Sequence, residues 1–377
     1  MDKSNKRIQR RWLRYFLIFL LVLALGPSVI GMTRVVAACQ PWKSPQEAES
    51  APVDEASRDV LENIPDYYRA EDQTYLTLPE WYIVYSADEY GAFLQENSST
   101  DFPYFNAVSQ YWQSYYDICK VTQGRYTLNG GYQFVLGFIG VSFTAENMLK
   151  GAYETTIGRV FDWTGPVTEE EIYAAEVAQE YGAFLHNVPW YMFPFDEKLK
   201  GLWQETSFWG PGLLRKWERK LALTAEYGVK AIYGGLTRAG SQATYGGPDT
   251  EKIYAIARGT NESMTGPHFV FIESIDEERE LVHITRFEIF STLVPELMEQ
   301  GLEFDEIAGN DEILFTIFTA QGETPEFQYG KYLFDLPVLT QPGRTRAAIQ
   351  VQVNEMHLFL QELKEYPDIQ FEHMYDY

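Results

Sequence analysis

The first 34 residues constrain this chain more than any other part of it. Residues 1–14 carry Lys3, Lys6, Arg7, Arg10, Arg11 and Arg14 against the single acid Asp2. Tyr15 to Thr33 then runs 19 residues without a charge, and Arg34 closes the run. A helix of that length is about 28 Å long, close to the ~30 Å hydrocarbon core of a bilayer. Gly26 and Pro27 fall inside it, and membrane helices tolerate both. The basic flank puts the amino terminus in the cytoplasm and everything after Arg34 on the far side. The sequence therefore predicts a cytoplasmic basic leader over 1–14 and a single-pass transmembrane signal anchor over 15–34, with the body periplasmic or extracellular. Two other fates stay open. The leader could be cleaved after the small residues Val36-Ala37-Ala38, or Cys39 could be lipidated after cleavage.

Beyond the leader the charge reverses. Of 30 basic and 54 acidic residues in the whole chain, seven basic and one acidic residue lie in 1–34, so the remainder carries a net charge of -30. Such a body repels a phosphate backbone, which excludes a nucleic-acid partner. Two cysteines exclude a disulfide scaffold or a cysteine-rich zinc domain. Cys39 and Cys119 could bond only if both lie outside the cytoplasm.

The rest reads as α+β. Residues 35–76 form a proline-punctuated linker. A helical domain rich in aromatic residues spans 77–245, and a ferredoxin-like α+β domain spans 246–377. In the helical domain, 79–96 and 103–121 each open with proline, and Tyr104, Val108, Tyr111, Tyr115 and Ile118 line one helical face as core. Residues 126–145 carry no charge. They read as a buried helix, with a re-entrant or interfacial segment as the alternative. Thr168 and Glu171 frame a capping box for a helix to about Leu185. The Gly-rich stretch 234–250 marks the domain boundary.

After it the period changes to strands over 253–258, 269–275, 281–287, 313–319, 346–353 and 369–375. Helices are expected from Ser291 to Gly301, with Ser291 as cap, and from Glu355 to Tyr366. The order β-α-β, β-α-β is that of the ferredoxin-like split arrangement, which carries no function by itself.

Residues 209–239 stand apart, with a net charge of +4 inside the acidic body. Leu214, Trp217, Leu221, Ala225, Gly228, Ile232 and Leu236 share one helical face. A basic cluster with an aromatic at its centre, Arg215, Lys216, Trp217, Arg219 and Lys220, is the pattern of a helix lying in a membrane interface. These five residues are the candidate membrane-surface site. The bland alternative is a core helix whose cations pair with acids of the same chain.

Catalytic signatures are missing. His186, His268, His283, His357 and His373 show no metal-ligand spacing, so no metal and no cofactor is expected. Ser142 sits in a broken nucleophile-elbow pattern, with Thr144 where glycine is required. The sequence thus points to a non-enzymatic, membrane-anchored envelope protein that binds or scaffolds, its partners the lipid bilayer and a membrane protein. The rival reading is a membrane-anchored hydrolase or transferase using helix carboxylates such as Glu176 and Glu180.

Overall fold

The structure is a computed structural model that describes residues 3–40, 61, 64, 67–241 and 251–377. Most of the linker, from 41 onward, and residues 242–250 of the Gly-rich stretch lie outside the described residues. The chain is mixed helix and sheet and divides into two compact units. The helical unit comprises Met1–Ala38, Tyr82–Tyr116 and Gln133–Gly240; the mixed unit comprises Cys39–Trp81, Asp117–Tyr132 and Ser241–Tyr377.

Helix α1 (Lys3–Cys39) is continuous through Pro27. Its stretch Ile18–Cys39 is 22 residues with a mean hydropathy of 1.9, long and apolar enough to cross a membrane. Among the described residues of α1, Ala24, Ser28, Gly31, Val35 and Ala38 are buried, at alternating spacings of four and three. All are small or β-branched, which lets helix backbones approach closely, as membrane helices do. A Cβ at Gly31 would lie 2.2 Å from the Trp112 ring, and one at Gly137 would lie 2.6 Å from Met32 Cε. The opposite side of α1, including Val22, Leu25, Val29 and Ile30, is exposed.

Four more long helices follow: α2 (Gln73–Phe93), α3 (Tyr104–Thr122), α4 (Gly130–Tyr153) and α5 (Glu169–Leu185). α6 (Phe195–Glu205) and α7 (Leu213–Ser241) complete the set. The predicted capping box is present at the start of α5: Thr168 and Glu171 exchange side-chain and backbone bonds. α2 starts six residues before Pro79, which sits inside the helix rather than opening it. Tyr104, Val108, Tyr111, Tyr115 and Ile118 are all buried. Tyr111 Oη donates to the Leu136 carbonyl at 2.7 Å, and Trp112 Nε1 to Thr144 Oγ1 at 2.9 Å, so α3 and α4 are joined by polar bonds as well as rings. α4 ends in a π-helical turn, Glu154–Gly158, followed by the single turn Arg159–Asp162.

The mixed unit holds two four-stranded antiparallel sheets rather than one. The first is built from β1 (Lys252–Arg258), β2 (Phe269–Ser274), β3 (Arg279–Thr285) and β4 (Glu303–Ile307), in the order β2-β3-β1-β4. Helix α8 (Glu288–Glu299) joins β3 to β4. The second is built from β5 (Glu312–Ala320), β6 (Gly330–Pro337), β7 (Arg344–Gln352) and β8 (Gln370–Tyr375), in the order β6-β7-β5-β8. Helix α9 (Met356–Leu363) joins β7 to β8. Each sheet is thus a β-β-β-α-β run with one strand order, a duplication the sequence reading does not see. Two strands, β4 and β6, also escape it. Glu303–Ile307 is five residues long, and β6 carries Lys331 and Asp335 and is only partly buried, so neither shows a clean period-two signal.

Both sheets and both helices share one core: Ala255, Val282 and Ile284 from one, Phe315, Ile317 and Ile349 from the other, closed by Phe290, Val294, Met356 and Phe359. The alternate face of β1 and β3, Ile256 and Leu281, packs on Leu61 and Tyr67. Ser291 does not cap α8. Phe287 holds that place with φ 64°, and Ser291 Oγ instead meets the Met374 N–H at 2.9 Å.

Candidate functional site

The cations of α7 set the character of the helical unit. Arg215, Lys216, Arg219 and Lys220 are all buried, and Trp217 is half-buried. Their partners come from three directions. Arg215 Nη2 lies 2.7 Å from Glu171 Oε1 at the start of α5, and Nη1 donates to Glu218 and to the Gly158 carbonyl, each at 2.9 Å. Arg219 Nη1 lies 2.8 Å from Glu154 Oε1 in the π-turn, and its Nε lies 2.8 Å from Glu218 Oε2. Lys216 Nζ lies 2.8 Å from Glu169 and 3.1 Å from Glu170; Lys220 Nζ lies 3.2 Å from Glu170 and 2.6 Å from Thr206 Oγ1. Hydrogen bonds from Lys216 and from the Ser207 amide and hydroxyl hold the Glu169 carboxyl down at about 2. The four cations are buried among more carboxylates than they can neutralise, and they do not form the predicted membrane surface. The three consecutive acids Glu169-Glu170-Glu171 were the signal for this: they stand at a helix start, where the dipole favours them, and their own negative charge draws the partner cations in.

A second ionic run continues along the same helix pair. Lys150 Nζ on α4 lies 2.8 Å from Glu226 on α7, and Lys230 lies 2.8 Å from Glu146 and 3.1 Å from Glu226. Lys150 sits 4.4 Å from the centre of the Tyr90 ring, and Lys230 5.3 Å from that of Tyr181, both within cation–π reach. Ser142 Oγ is 3.4 Å from Tyr233 Oη. Together with Arg219–Glu154, these pairs run in opposite sequence directions, so α4 and α7 are antiparallel. The ionic run faces a cavity of ≈ 90 Å³ whose walls include Tyr90, Phe143, Tyr181, Phe195 and Tyr227. That volume holds a few waters or a very small ligand. Its two acids, Glu146 and Glu226, are each matched by a lysine.

The carboxylates proposed for catalysis do not converge. Glu176 is exposed, and Glu180 pairs with Lys198 at 2.5 Å on the surface of the same unit. Among the described residues no group of three or more His, Cys, Asp or Glu side chains could hold a metal ion. His186 pairs with Asp88, and His268 contacts Thr285 at 3.1 Å. Among the described residues, the nearest approach to a nucleophile–base pair is Ser291 Oγ and His373 Nδ1, 2.9 Å apart in the mixed unit. Both residues are buried, Ser291 also bonds the backbone N–H and C=O of Met374, and Trp81 lies against the imidazole at 3.8 Å between ring centres. That arrangement pins α8 to β8.

Another polar centre of the mixed unit is Glu312. It accepts from Arg125 at 2.7 Å, Tyr126 at 2.7 Å, Tyr75 at 2.9 Å and Gln350 at 2.5 Å. Burial alone would raise its carboxyl, but the Tyr126 hydroxyl and the Arg125 charge outweigh it and hold the group below its ordinary value. Cys39 and Cys119 form a disulfide with Cα atoms 4.5 Å apart.

Comparison with known proteins supplies no relative: no protein-family model, no curated protein and no solved structure matches the chain.

Proposed function

We propose that this chain is a membrane-anchored envelope protein that works without chemistry, binding or scaffolding a partner while α1 holds it at the bilayer. The observation that carries the reading is α1: a basic leader followed by the 22-residue stretch Ile18–Cys39 of mean hydropathy 1.9, its packed side lined by small residues and its open side largely apolar before Thr33. The disulfide supports a body outside the cytoplasm, because such bonds persist in oxidising compartments. It also engages Cys39, the residue that lipidation would need. Each β-β-β-α-β run of the mixed unit is read here as a ferredoxin-like split arrangement lacking its first helix. The mixed unit is then the binding module, and a membrane protein its partner.

Fusions at Tyr377 test the orientation. An alkaline phosphatase fusion should be active and a green fluorescent protein fusion dark; the reverse pattern overturns the reading. Cross-linking in intact membranes should then recover one membrane protein in stoichiometric yield. Recovery of none would leave the anchor and remove the scaffold.

A further inference from the structure

Helix α7 turns its ionic residues inward beside the buried Leu223 and Tyr227. Its charged residues from Arg215 to Lys230 turn into the unit, whereas Leu221, Ala225, Val229, Ile232 and Leu236 face outward and are exposed, Ile232 at 70%. The outward residues of α7 between Leu221 and Leu236 include no charge. They cover about 22 Å of helix. α4 continues the same surface. Phe134 (76% exposed), Phe138 and Leu149 stand outward, and 126–145 is free of charge. At about 100° per residue, these three positions fall between the side of α4 that meets α1 at Gly137 and the side that meets α7 at Ser142 and Glu146. The outer wall therefore runs from α1 across α4 to α7.

We infer that the α4–α7 wall is covered by the acyl chains of the bilayer that α1 crosses. An apolar outer face with the ionic side chains paired toward the bundle, Glu146 standing exposed at the α4–α7 seam, is the arrangement of helices bathed in lipid, where ionic groups pair with one another. The occupant is lipid because the wall abuts the apolar span: Met32, within Ile18–Cys39, seats on Gly137 of α4. The inference rests on the membrane-anchor reading and extends it. The helical unit is partly immersed beside α1, and Glu146, Lys150, Glu226 and Lys230 form their pairs at membrane depth.

The test uses the full chain, its native cysteines held in the disulfide, with one added cysteine carrying an environment-sensitive fluorophore. Phe138→Cys and Ile232→Cys probe the wall, Leu21→Cys the anchor and Glu176→Cys the water-facing side of α5. All four sites are exposed, so the labels do not disturb the core. The labelled chains are reconstituted into phosphatidylcholine–phosphatidylglycerol vesicles with brominated acyl chains. The expected result is loss of fluorescence at 138 and 232 as large as that at 21, and none at 176. Quenching at 21 alone overturns the inference and leaves the anchor standing. Quenching nowhere removes the anchor as well. A label at 232 shielded from aqueous iodide yet unquenched by brominated lipid, with 232-to-232 cross-links between chains, overturns the inference in favour of a second copy on the wall.

Discussion

At the scale of single residues, burial decides what the charges of this chain do. Arg219 joins Glu154 and Glu218, and all three are buried. Replacing such a group costs far more than the pair contributes, because the partners stay buried without a counter-charge. Arg219→Ala should therefore destabilise the chain by about 3–5 kcal/mol, read from denaturant unfolding in detergent. A loss below about 1 kcal/mol would mean the network is hydrated, like a surface pair. Asp72 in the mixed unit shows the opposite case. Burial pushes its carboxyl up to about 6, against weaker opposing bonds from Asn129. Above that pH the folded chain carries a buried carboxylate that the unfolded chain keeps in water, so the destabilisation is complete there. It fades as the pH falls from about 6 to about 4, where both states become protonated. Asp72→Asn should flatten that part of the stability–pH profile and raise neutral-pH stability by up to about 3 kcal/mol. An unchanged profile contradicts the assignment.

At the scale of elements, α7 shows what a sequence can and cannot say. The apolar stripe from Leu214 to Leu236 was legible from spacing alone, and it is the exposed stripe. The destination of the cations was not. A helix wheel separates two faces without saying which one meets the rest of the protein, and Glu154, Glu169, Glu170 and Glu171 lie 44 to 65 residues away from their partners in the chain. The exposed face has a physical consequence. Each of its large side chains left in water forgoes about 1.5–3 kcal/mol of burial, a heavy burden for a soluble helix. The docking of α1 depends on a different residue. Gly31→Leu would drive a side chain into the Trp112 ring and should undock the second half of α1. Overpacking of this kind costs about 1–3 kcal/mol. Hydrogen exchange over 24–38 in detergent should rise; unchanged protection would show that α1 does not pack there. Strand and helix boundaries in the mixed unit were mostly legible because β1, β5 and β7 are short runs rich in apolar and β-branched residues, buried almost throughout and bounded by polar residues. Ser291 was misread because its hydroxyl finds the backbone of β8, some 80 residues on, rather than its own helix start.

At the scale of the whole molecule, the sequence announced an apolar leader and an acidic body, but neither the twofold β-β-β-α-β pattern nor the separation into two sheets. Both depend on long-range pairing: β1 joins β4, and β5 joins β8, across intervals that include a helix. Local periodicity cannot see such partners. The candidate site was half legible for the same reason, its residues on one helix and their acids on others. What unites these observations is a chain whose apolar leader is packed by small residues while the outer wall of its helical unit stays apolar. Alkaline carbonate extraction of native membranes holding the untruncated chain tests this most directly. The account predicts that the protein stays in the membrane pellet through high salt and carbonate alike; its release into the supernatant by either would contradict it.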